Sequence, residues 1–254
     1  MTDLVLLLGH GIGYSASPAM HNAAFAALGI DARYDLEDVP PATLPDAVAA
    51  LREPSMLGAN VTQPHKMAAC DAVDALAPEV GRLGAANTIV RDGDRLVAYN
   101  TDLPALAAEL GGLGTLRRAV VLGNGGASRA AQAALADAGV AFLVVDRSRW
   151  AELPSLLPDA DLVVNATPIG TGSDETPIDR DLLRPGLAVL DLVYRPTPTR
   201  LVREARAAGA PARAGASMLL TQAVLSFEMW TGRHAPVAVM AEALRTELGV
   251  EPDA

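Results

Sequence analysis

The feature that most constrains the fold is a glycine turn between an apolar run and an alanine-rich segment. Residues Ala119–Leu122 read Ala-Val-Val-Leu, the turn is Gly123-Asn124-Gly125-Gly126, and Ala127–Asp137 follows with helical composition. A strand, a glycine-rich turn and a helix in this order are typical of dinucleotide-binding units. Glycine permits the tight turn and lets the backbone amides approach a pyrophosphate. The sequence therefore predicts a parallel α/β sheet with a dinucleotide site at this turn.

The residues after the next predicted strand bear on which dinucleotide binds. The strand Phe142–Val145 closes at Asp146, 20 residues beyond Gly126. A carboxylate there accepts hydrogen bonds from the ribose hydroxyls and repels a 2′-phosphate, which favours NAD. Arg147 and Arg149 follow at once, and an arginine in this loop can stack on adenine or neutralise a phosphate. Both cofactors stay open at this point, with Asp146 favouring NAD.

Other short apolar runs alternate with helical segments, which predicts strand-helix-strand units with right-handed crossovers. Further predicted strands are Leu4–Leu8, Arg33–Leu36, Leu57–Val61, Leu162–Val164 and Leu187–Leu190. Predicted helices are Pro18–Leu28, with Ser17 as N-cap and Gly29 as its stop, Pro45–Leu51, Arg200–Ala208, Met218–Thr231 and Val237–Leu248. A two-residue turn, Asp92-Gly93, predicts a β-hairpin between Thr88–Arg91 and Leu96–Asn100.

Charge and cysteine usage exclude several classes of partner. The chain has 20 Lys and Arg against 30 Asp and Glu, a net charge of −10, without a basic cluster. Such a chain lacks the positive surface that binds nucleic acid or an anionic membrane. Cys70 is the single cysteine, which excludes an internal disulfide framework and a multi-cysteine metal site, and we expect no metal. No run resembles a signal peptide or a membrane span, so we expect a cytoplasmic protein. We further expect a monomer or homodimer with a small-molecule partner.

Three polar clusters lie near the ends of predicted strands outside the glycine-turn unit. They are Ser15–Asn22, Asn60–Lys66, and Asn87-Thr88 with Asn100-Thr101-Asp102. Their hydroxyl, amide and charged groups suit a small polyhydroxylated acid. Lys66 and Asp102, the charged pair among them, could move a proton at a substrate hydroxyl and stabilise a developing alkoxide. The alternative is that the small polar residues cap helices and loops and that the charges face solvent.

Several motifs in order along the chain resemble the shikimate dehydrogenase family. They are Ser15-x-Ser17-Pro18-x-x-His21-Asn22, Asn60-Val61-Thr62-x-Pro64-x-Lys66, Ala86-Asn87-Thr88, Asn100-Thr101-Asp102, Gly123-x-Gly125-Gly126-Ala127-Ser128, Asn165-Ala166-Thr167-Pro168-x-Gly170 and Gln222-Ala223. The resemblance covers nearly the whole chain, from Gly9 to about Leu248. It implies reversible hydride transfer between a nicotinamide and 3-dehydroshikimate, with NADP as the usual family cofactor.

The resemblance also implies a role for each matching residue. Lys66 and Asp102 would be the catalytic pair, and Ser15 and Ser17 would hold the substrate carboxylate. The other implied substrate-binding residues are Asn60, Thr62, Asn87, Tyr194 and Gln222, with Asp102 also on a ring hydroxyl. The implied cofactor-binding residues are Gly123, Asn124, Gly125, Gly126, Ala127, Asp146, Arg147, Thr167, Pro168 and Met218, with Gly170 in the same loop as Thr167.

The architecture implied is α/β with two domains. Residues 1–102 and 218–254 would form an α/β substrate domain to which the C-terminal helices return, and residues 103–217 a Rossmann-like NAD(P) domain. Gly111–Gly114 is the candidate hinge. The family pattern changes at Tyr14, Leu103, Asn124 and Asp146-Arg147-Ser148. Alternatives are a quinate or aminoshikimate dehydrogenase and a non-catalytic dinucleotide or metabolite sensor. A folate-type methylene dehydrogenase is disfavoured by the two serines, and the charged pair argues against a sensor.

Overall fold

A computed structural model describes residues 2–250, which fold as two compact units. The first comprises the described residues up to Asp102 together with those from Leu220 onwards, and the second is Leu103–Leu219. The chain therefore returns to the first unit between Leu219 and Leu220, two residues beyond the boundary expected between 217 and 218.

The first unit is built on a six-stranded mixed sheet of order β2-β1-β3-β5-β6-β4. Its strands are β1 (Asp3–Gly9), β2 (Ala32–Asp38), β3 (Met56–Val61), β4 (Ala75–Leu76), β5 (Thr88–Asp92) and β6 (Arg95–Tyr99). Strand β1 is parallel to β2 and β3, whereas β5 is antiparallel to β3 and β6. Asn60 pairs with Thr88, and Thr88 pairs with Tyr99. The ends of β3 and β6 and the start of β5 therefore share one edge of the sheet.

The β5–β6 hairpin is confirmed, but its turn is shifted from the predicted position. Asp92 pairs with Arg95, so the two-residue turn is Gly93-Asp94 and not Asp92-Gly93. Gly93 has φ +60°, a left-handed conformation that glycine adopts without the strain of a side chain.

Three helices of the first unit precede the hairpin: α1 (Ser17–Leu28), α2 (Leu44–Ala50) and α3 (Pro78–Leu83). As expected, Pro18 lies in the first turn of α1 and Gly29 ends it in the left-handed region. The predicted N-cap was wrong. Ala16 occupies that position, and Ser17, the first helical residue, donates its own amide to Ser15 Oγ at 3.3 Å.

The second unit contains a five-stranded sheet of order β11-β10-β9-β7-β8, in which every pairing is parallel. Its strands are β7 (Arg118–Leu122), β8 (Ala141–Val145), β9 (Leu162–Asn165), β10 (Ala188–Asp191) and β11 (Ala212–Ala214). Alternate residues of β7 enter different cores: Val121 packs in one cluster, and Val120 and Leu122 pack in another. Burial on both faces explains the continuous apolar runs, and the predicted parallel α/β sheet is confirmed.

The remaining helices are α4 (Asp102–Gly111), α5 (Gly126–Asp137), α6 (Leu153–Leu156), α7 (Arg200–Ala207), α8 (Ala216–Thr231) and α9 (Val237–Leu248). Strands β4 and β11 and helices α3, α4 and α6 were not predicted. The chain passes from the first unit to the second at the start of α4, so Gly111–Gly114, the expected hinge, lies inside the second unit.

The C-terminal helices return to the first unit, as predicted. Helix α9 packs along α1, and Trp230 of α8 donates its indole N–H to the carbonyl of Ile89 at 3.0 Å. The same indole fills the space beside Gly58, where an added Cβ would lie 2.8 Å from its nitrogen. Within residues 2–250, we find no helix with the length and apolarity that crossing a bilayer requires.

Candidate active site

Lys66 and Asp102 form a largely buried ion pair in the first unit. Lys66 Nζ lies 2.6 Å from Asp102 Oδ2, and the two side chains are 17% and 5% exposed. Lys66 lies on the loop after β3, and Asp102 is the first residue of α4. The mixed topology of the sheet brings both to one edge, so the alternative that these charges face solvent is excluded.

Asn87 holds the second oxygen of the same carboxylate. The backbone N–H of Thr101 donates to Asn87 Oδ1 at 2.7 Å, which fixes which end of the amide is the acceptor. The amide nitrogen of Asn87 therefore points the other way and donates to Asp102 Oδ1 at 2.8 Å. Gln222 Oε1, on α8, lies 3.5 Å from the same nitrogen. Asp102 is thus held from two sides, by an ammonium and by an amide.

Asn60 lies at the end of β3, buried beneath this arrangement. Its amide nitrogen is 3.1 Å from each of the Asn87 carbonyl, Thr88 Oγ1 and Ser226 Oγ. Tyr34 donates its hydroxyl to Asn60 Oδ1 at 2.9 Å. Because both ends of the amide have partners within the protein, Asn60 is placed to support Asn87, while direct binding of substrate by Asn60 stays a prediction.

Three further predicted substrate residues follow β1 and β3. Ser17 is buried and Ser15 is half-buried, and the two are joined by the hydrogen bond at the start of α1. Thr62 directly follows β3, and its backbone amide donates to the carbonyl of Leu8 at 2.9 Å. Because β1 and β3 are parallel neighbours, all three lie at the carboxyl edge of the sheet. Their contacts with substrate stay predictions.

The glycine turn of the second unit follows β7, where the sequence predicts it. Gly123 has φ +99°, and an added Cβ would lie 3.0 Å from the carbonyl oxygen of Ala166. Gly125 is the N-cap of α5 and has open space where a Cβ would stand. Ser128 donates its hydroxyl to the Gly123 carbonyl at 2.7 Å, which braces the turn. Asn124 is exposed, and Gly126 and Ala127 open the helix.

This turn fits a dinucleotide. Gly125 is exposed, so its backbone can approach a pyrophosphate. The first amides of α5 lack intrahelical acceptors and carry the positive end of the helix dipole. Apart from the adjacent residues and the backbone of its own helix, no described atom lies within 4 Å of the position that a Cβ on Gly125 would take. The residues present are those that a bound phosphate needs.

The residues that follow β8 are exposed, as a site for ribose and phosphate requires. Asp146 Oδ1 accepts the Ser148 hydroxyl at 2.6 Å and the Ser148 amide at 2.9 Å. These two bonds, the hydroxyl first, hold the pKa of the Asp146 carboxyl below its usual range. Arg147 is exposed, whereas Arg149 is engaged in two hydrogen bonds to Glu152. Of the two arginines, Arg147 is therefore the one placed to meet a ligand.

The loop after β9 carries Thr167 and Pro168. Asn165 Oδ1 accepts the Thr167 hydroxyl at 2.6 Å and its amide at 3.1 Å. The other end of this amide donates to Asp191 Oδ1 at 2.8 Å. Burial raises the pKa of the Asp191 carboxyl, against hydrogen bonds from Thr199, Val193 and Asn165. Asn165, held in turn by Asp191, thus fixes the position of Thr167 in this loop.

Tyr194 and Met218, also in the second unit, have different surroundings. Tyr194 is half-buried in the segment after β10. Met218 is 7% exposed and packs in the core beside Ala105 and Leu106. Their predicted contacts, with substrate for Tyr194 and with the nicotinamide for Met218, stay predictions.

Sequence reasoning missed the residues that orient the site without reaching its surface. Tyr34, Thr88, Thr101 and Ser226 belong to the network around Asn60 and Asn87. Thr88 and Thr101 stand inside quoted motifs, so their signal was present but was assigned to their neighbours. Ser226 lies one helical turn after Gln222, a spacing that places both on one face of α8.

Comparisons with known proteins agree with this geometry. The model of the shikimate dehydrogenase substrate binding domain matches residues 7–89, and that of the shikimate 5′-dehydrogenase C-terminal domain matches residues 215–245. The shikimate dehydrogenase (NADP(+)) of Symbiobacterium thermophilum is 43% identical over an alignment of 278 positions, gaps included, that covers 97% of this chain and 95% of the relative. That of Halorubrum lacusprofundi is 44% identical, over 97% and 99%.

Solved structures give the same result. The shikimate 5-dehydrogenase of Thermus thermophilus, in complex with NADP(H) and shikimate, superposes with a TM-score of 0.87 at 37% identity, covering 97% of this chain and all of the other. The quinate dehydrogenase of Corynebacterium glutamicum, in complex with NAD, gives a TM-score of 0.85 at 29% identity, over 96% and 99%. Because the relatives and solved structures are similar over nearly its full length, and the family models match a segment near each end, the chain belongs to the shikimate dehydrogenase family.

Proposed function

We propose that the chain is a shikimate dehydrogenase that reduces 3-dehydroshikimate to shikimate with NADPH, reversibly. The observation that carries this proposal is the buried Lys66–Asp102 pair at 2.6 Å in a chain that also carries a dinucleotide turn. Family membership adds the substrate, because the relatives are named shikimate dehydrogenase (NADP(+)). A protein that only sensed a metabolite would have no need of a buried ammonium and carboxylate.

On the substrate side, the first unit would supply the groups that bind the ring. Ser15 and Ser17, joined at the start of α1, would bind the substrate carboxylate. Thr62, Asn87 and Gln222 would bind the ring hydroxyls, with Asn60 holding Asn87 from behind. Tyr194 is proposed as a further substrate contact.

On the cofactor side, the second unit would hold NADP. The turn from Gly123 to Ala127 would bind the pyrophosphate through backbone amides, and Thr167, Pro168 and Met218 would line the nicotinamide side. Asp146 and Arg147 would meet the adenosine ribose. The names of the relatives agree with the family default, NADP, and go against the preference for NAD that Asp146 alone suggested. In this chain Arg147 would therefore offset the carboxylate by pairing with the 2′-phosphate.

The pair has a specific task in the reaction. When bound, NADPH would supply the hydride that reduces the ketone carbon, and negative charge would develop on the ketone oxygen. The Lys66 ammonium would stabilise that charge, and a proton from the pair would complete the hydroxyl. Asp102, held by Asn87, keeps the ammonium in place. In the reverse direction the same pair would accept the hydroxyl proton as the hydride leaves carbon.

The test is a matrix of initial rates. Purified protein is assayed for reduction of NADP and of NAD with shikimate, quinate and an amino analogue of shikimate. We expect the highest kcat/KM for shikimate with NADP. A higher kcat/KM for quinate would replace the proposal with a quinate dehydrogenase. No turnover with any combination of substrate and cofactor, together with a higher melting temperature on adding NADP, would indicate a sensor.

The proposal includes a cytoplasmic setting and a monomer or homodimer. Sedimentation velocity across a range of protein concentrations distinguishes the two forms. A larger assembly at every concentration would contradict this part of the proposal.

A further inference from the structure

Three buried hydroxyl groups meet below the candidate active site. Thr88 at the start of β5, Thr101 before α4 and Ser226 on α8 form this hydroxyl triad. Their oxygens are 3.0 Å apart for Thr88 and Ser226, 3.2 Å for Thr101 and Ser226, and 3.3 Å for Thr88 and Thr101. All three residues have no exposed surface. The triad therefore joins three chain segments that are far apart in sequence.

The direction of the hydrogen bonds in the triad follows from its neighbours. Ser226 donates its hydroxyl to the carbonyl of Gln222 at 2.9 Å, because a carbonyl only accepts. Ser226 Oγ is therefore left as an acceptor for the hydroxyl of Thr101, while Thr88 donates its one hydroxyl proton to Asn87 Oδ1. Thr101 Oγ1 in turn accepts from the amide nitrogen of Asn87 at 2.9 Å. A directed chain thus runs from Asn87 through Thr101 and Ser226 to α8.

Asn87 is the point at which this chain reaches the ion pair. Its amide nitrogen has two protons, and the two shortest contacts of that nitrogen are to Asp102 Oδ1 and Thr101 Oγ1. An amide held by only one of these partners could rotate away from the other. Thr88 Oγ1, 3.1 Å from Asn87 Oδ1, restrains the opposite end.

We infer that the hydroxyl triad is a positioning unit that holds the Asn87 amide towards Asp102, so that Ser226 contributes to turnover without touching substrate. The inference rests on the proposed function for its kinetic readout. It extends the site along α8 from Gln222 to Ser226, which lies on the same face of that helix. In a fully buried network each lost partner leaves another group unsatisfied, so the effect should pass along the chain.

The first experiment compares Ser226→Ala and Thr101→Val with the wild-type protein. We expect kcat with shikimate to fall about two- to tenfold, the range for one net hydrogen bond, while the KM for NADP is unchanged. Thr101→Ser keeps the hydroxyl and should restore most of kcat. The matched control is Thr231→Val on the same helix. Thr231 also donates to a carbonyl four residues back, at 2.8 Å, but lies outside the triad, so its kcat should not change.

A double-mutant cycle separates positioning from general destabilisation. If the triad acts through Asn87, adding Ser226→Ala to Asn87→Ala should lower kcat no further. An additive loss of kcat would overturn the inference, as would an unchanged kcat in Ser226→Ala and Thr101→Val while the wild-type protein turns over shikimate.

A second measurement holds even if the wild-type protein does not turn over shikimate. Hydrogen exchange of the Asn87 side-chain amide, identified by its loss in Asn87→Ala, should be about two- to tenfold faster in Ser226→Ala. Unchanged exchange would overturn the positioning role, whatever reaction the protein catalyses.

Discussion

The two units place their candidate functional groups by different physical means. In the first unit, charged and amide side chains are buried and are fixed by hydrogen bonds from other buried side chains, as around Asn87 and Asn60. In the second, the candidate groups are backbone amides and exposed side chains at the ends of parallel strands, as at Gly125 and Asp146. The first depends on side-chain identity at each position, the second on backbone conformation.

This difference predicts which substitutions each unit tolerates. A buried polar network loses more than one bond when a member is removed, because the partners remain desolvated. A backbone turn tolerates most neighbouring changes but not a side chain where glycine adopts a left-handed conformation. The four predictions below each bear on one side of this contrast.

The largest effect is expected from Lys66→Ala. Removing the ammonium should lower kcat about 10²–10⁴-fold, the range for general acid–base groups, because the ketone oxygen loses its cation and proton source. The KM for NADP should change little. Arg52→Ala, which breaks the partly exposed Arg52–Asp74 pair of the same unit, is the matched control and should leave kcat unchanged. A Lys66→Ala protein with near-normal kcat would remove Lys66 from the catalytic role.

Acid should weaken the first unit through His21. This ring is fully buried against Tyr34, and neither nitrogen has a hydrogen-bond partner among the described residues. Burial lowers the pKa of His21 from 6.5 to about 3. Between these two values the unfolded chain binds a proton that the folded chain does not, so stability falls as pH drops below 6.5 towards 3.

The measurement is urea unfolding of wild type and His21→Phe at pH 7 and at pH 4.5. Over that interval the wild type should lose about 2–3 kcal/mol more unfolding free energy than the variant. The second unit, residues 103–219, contains no histidine and has no counterpart to this effect. Equal losses in the two proteins would show that His21 is protonated in the folded state or has another partner.

Paired glycine substitutions test the backbone side of the contrast. Gly123→Ala should reduce stability by about 1–3 kcal/mol, because alanine at φ +99° is strained and its Cβ would press on the Ala166 carbonyl. Gly125→Ala, at φ −92° with open space around it, should cost less than about 1 kcal/mol. Thermal unfolding compares the two.

Steady-state kinetics with NADP test whether the same turn binds the cofactor. Gly125→Ala should raise the KM for NADP, since its Cβ would keep the pyrophosphate from the backbone, and should leave the KM for shikimate unchanged. If Gly125→Ala bound NADP as the wild type does, the turn would not be the pyrophosphate site.

The smallest effect is expected from Asp146→Asn. Asparagine keeps an oxygen that can accept from Ser148, but it removes the negative charge that repels a 2′-phosphate. The ratio of kcat/KM for NADP over NAD should therefore rise several-fold. Asp159→Asn, an exposed carboxylate after β8 and α6 whose nearest cation is 3.9 Å away, serves as the charge control. An unchanged ratio in Asp146→Asn would show that its carboxylate does not meet the ribose.

How much of the site was predictable differs between the units. At the glycine turn, chemistry and sequence are contiguous, so a strand, Gly123–Gly126 and a helix could be read in one stretch. In the first unit the motifs were found, but their mutual contacts could not be. The hairpin turn was displaced to Gly93-Asp94, and α4 was missed although it begins at Asp102. Short elements and caps depend on which competing hydrogen bond forms, as at Ser15 and Ser17.

By itself the sequence determined the α/β alternation, the dinucleotide turn and the types of residue available for chemistry. These features follow from local patterns, because buried strands are continuous apolar runs and helices show a regular spacing of apolar residues. The tertiary structure alone decided that Lys66 and Asp102 meet. Because β5 is antiparallel to both β3 and β6, the ends of β3 and β6 lie at one edge of the sheet, which brings residues 36 positions apart together. It also decided that Ser226, unremarkable in sequence, lies among Asn60, Thr88 and Thr101, because only packing of α8 against this edge buries its hydroxyl there.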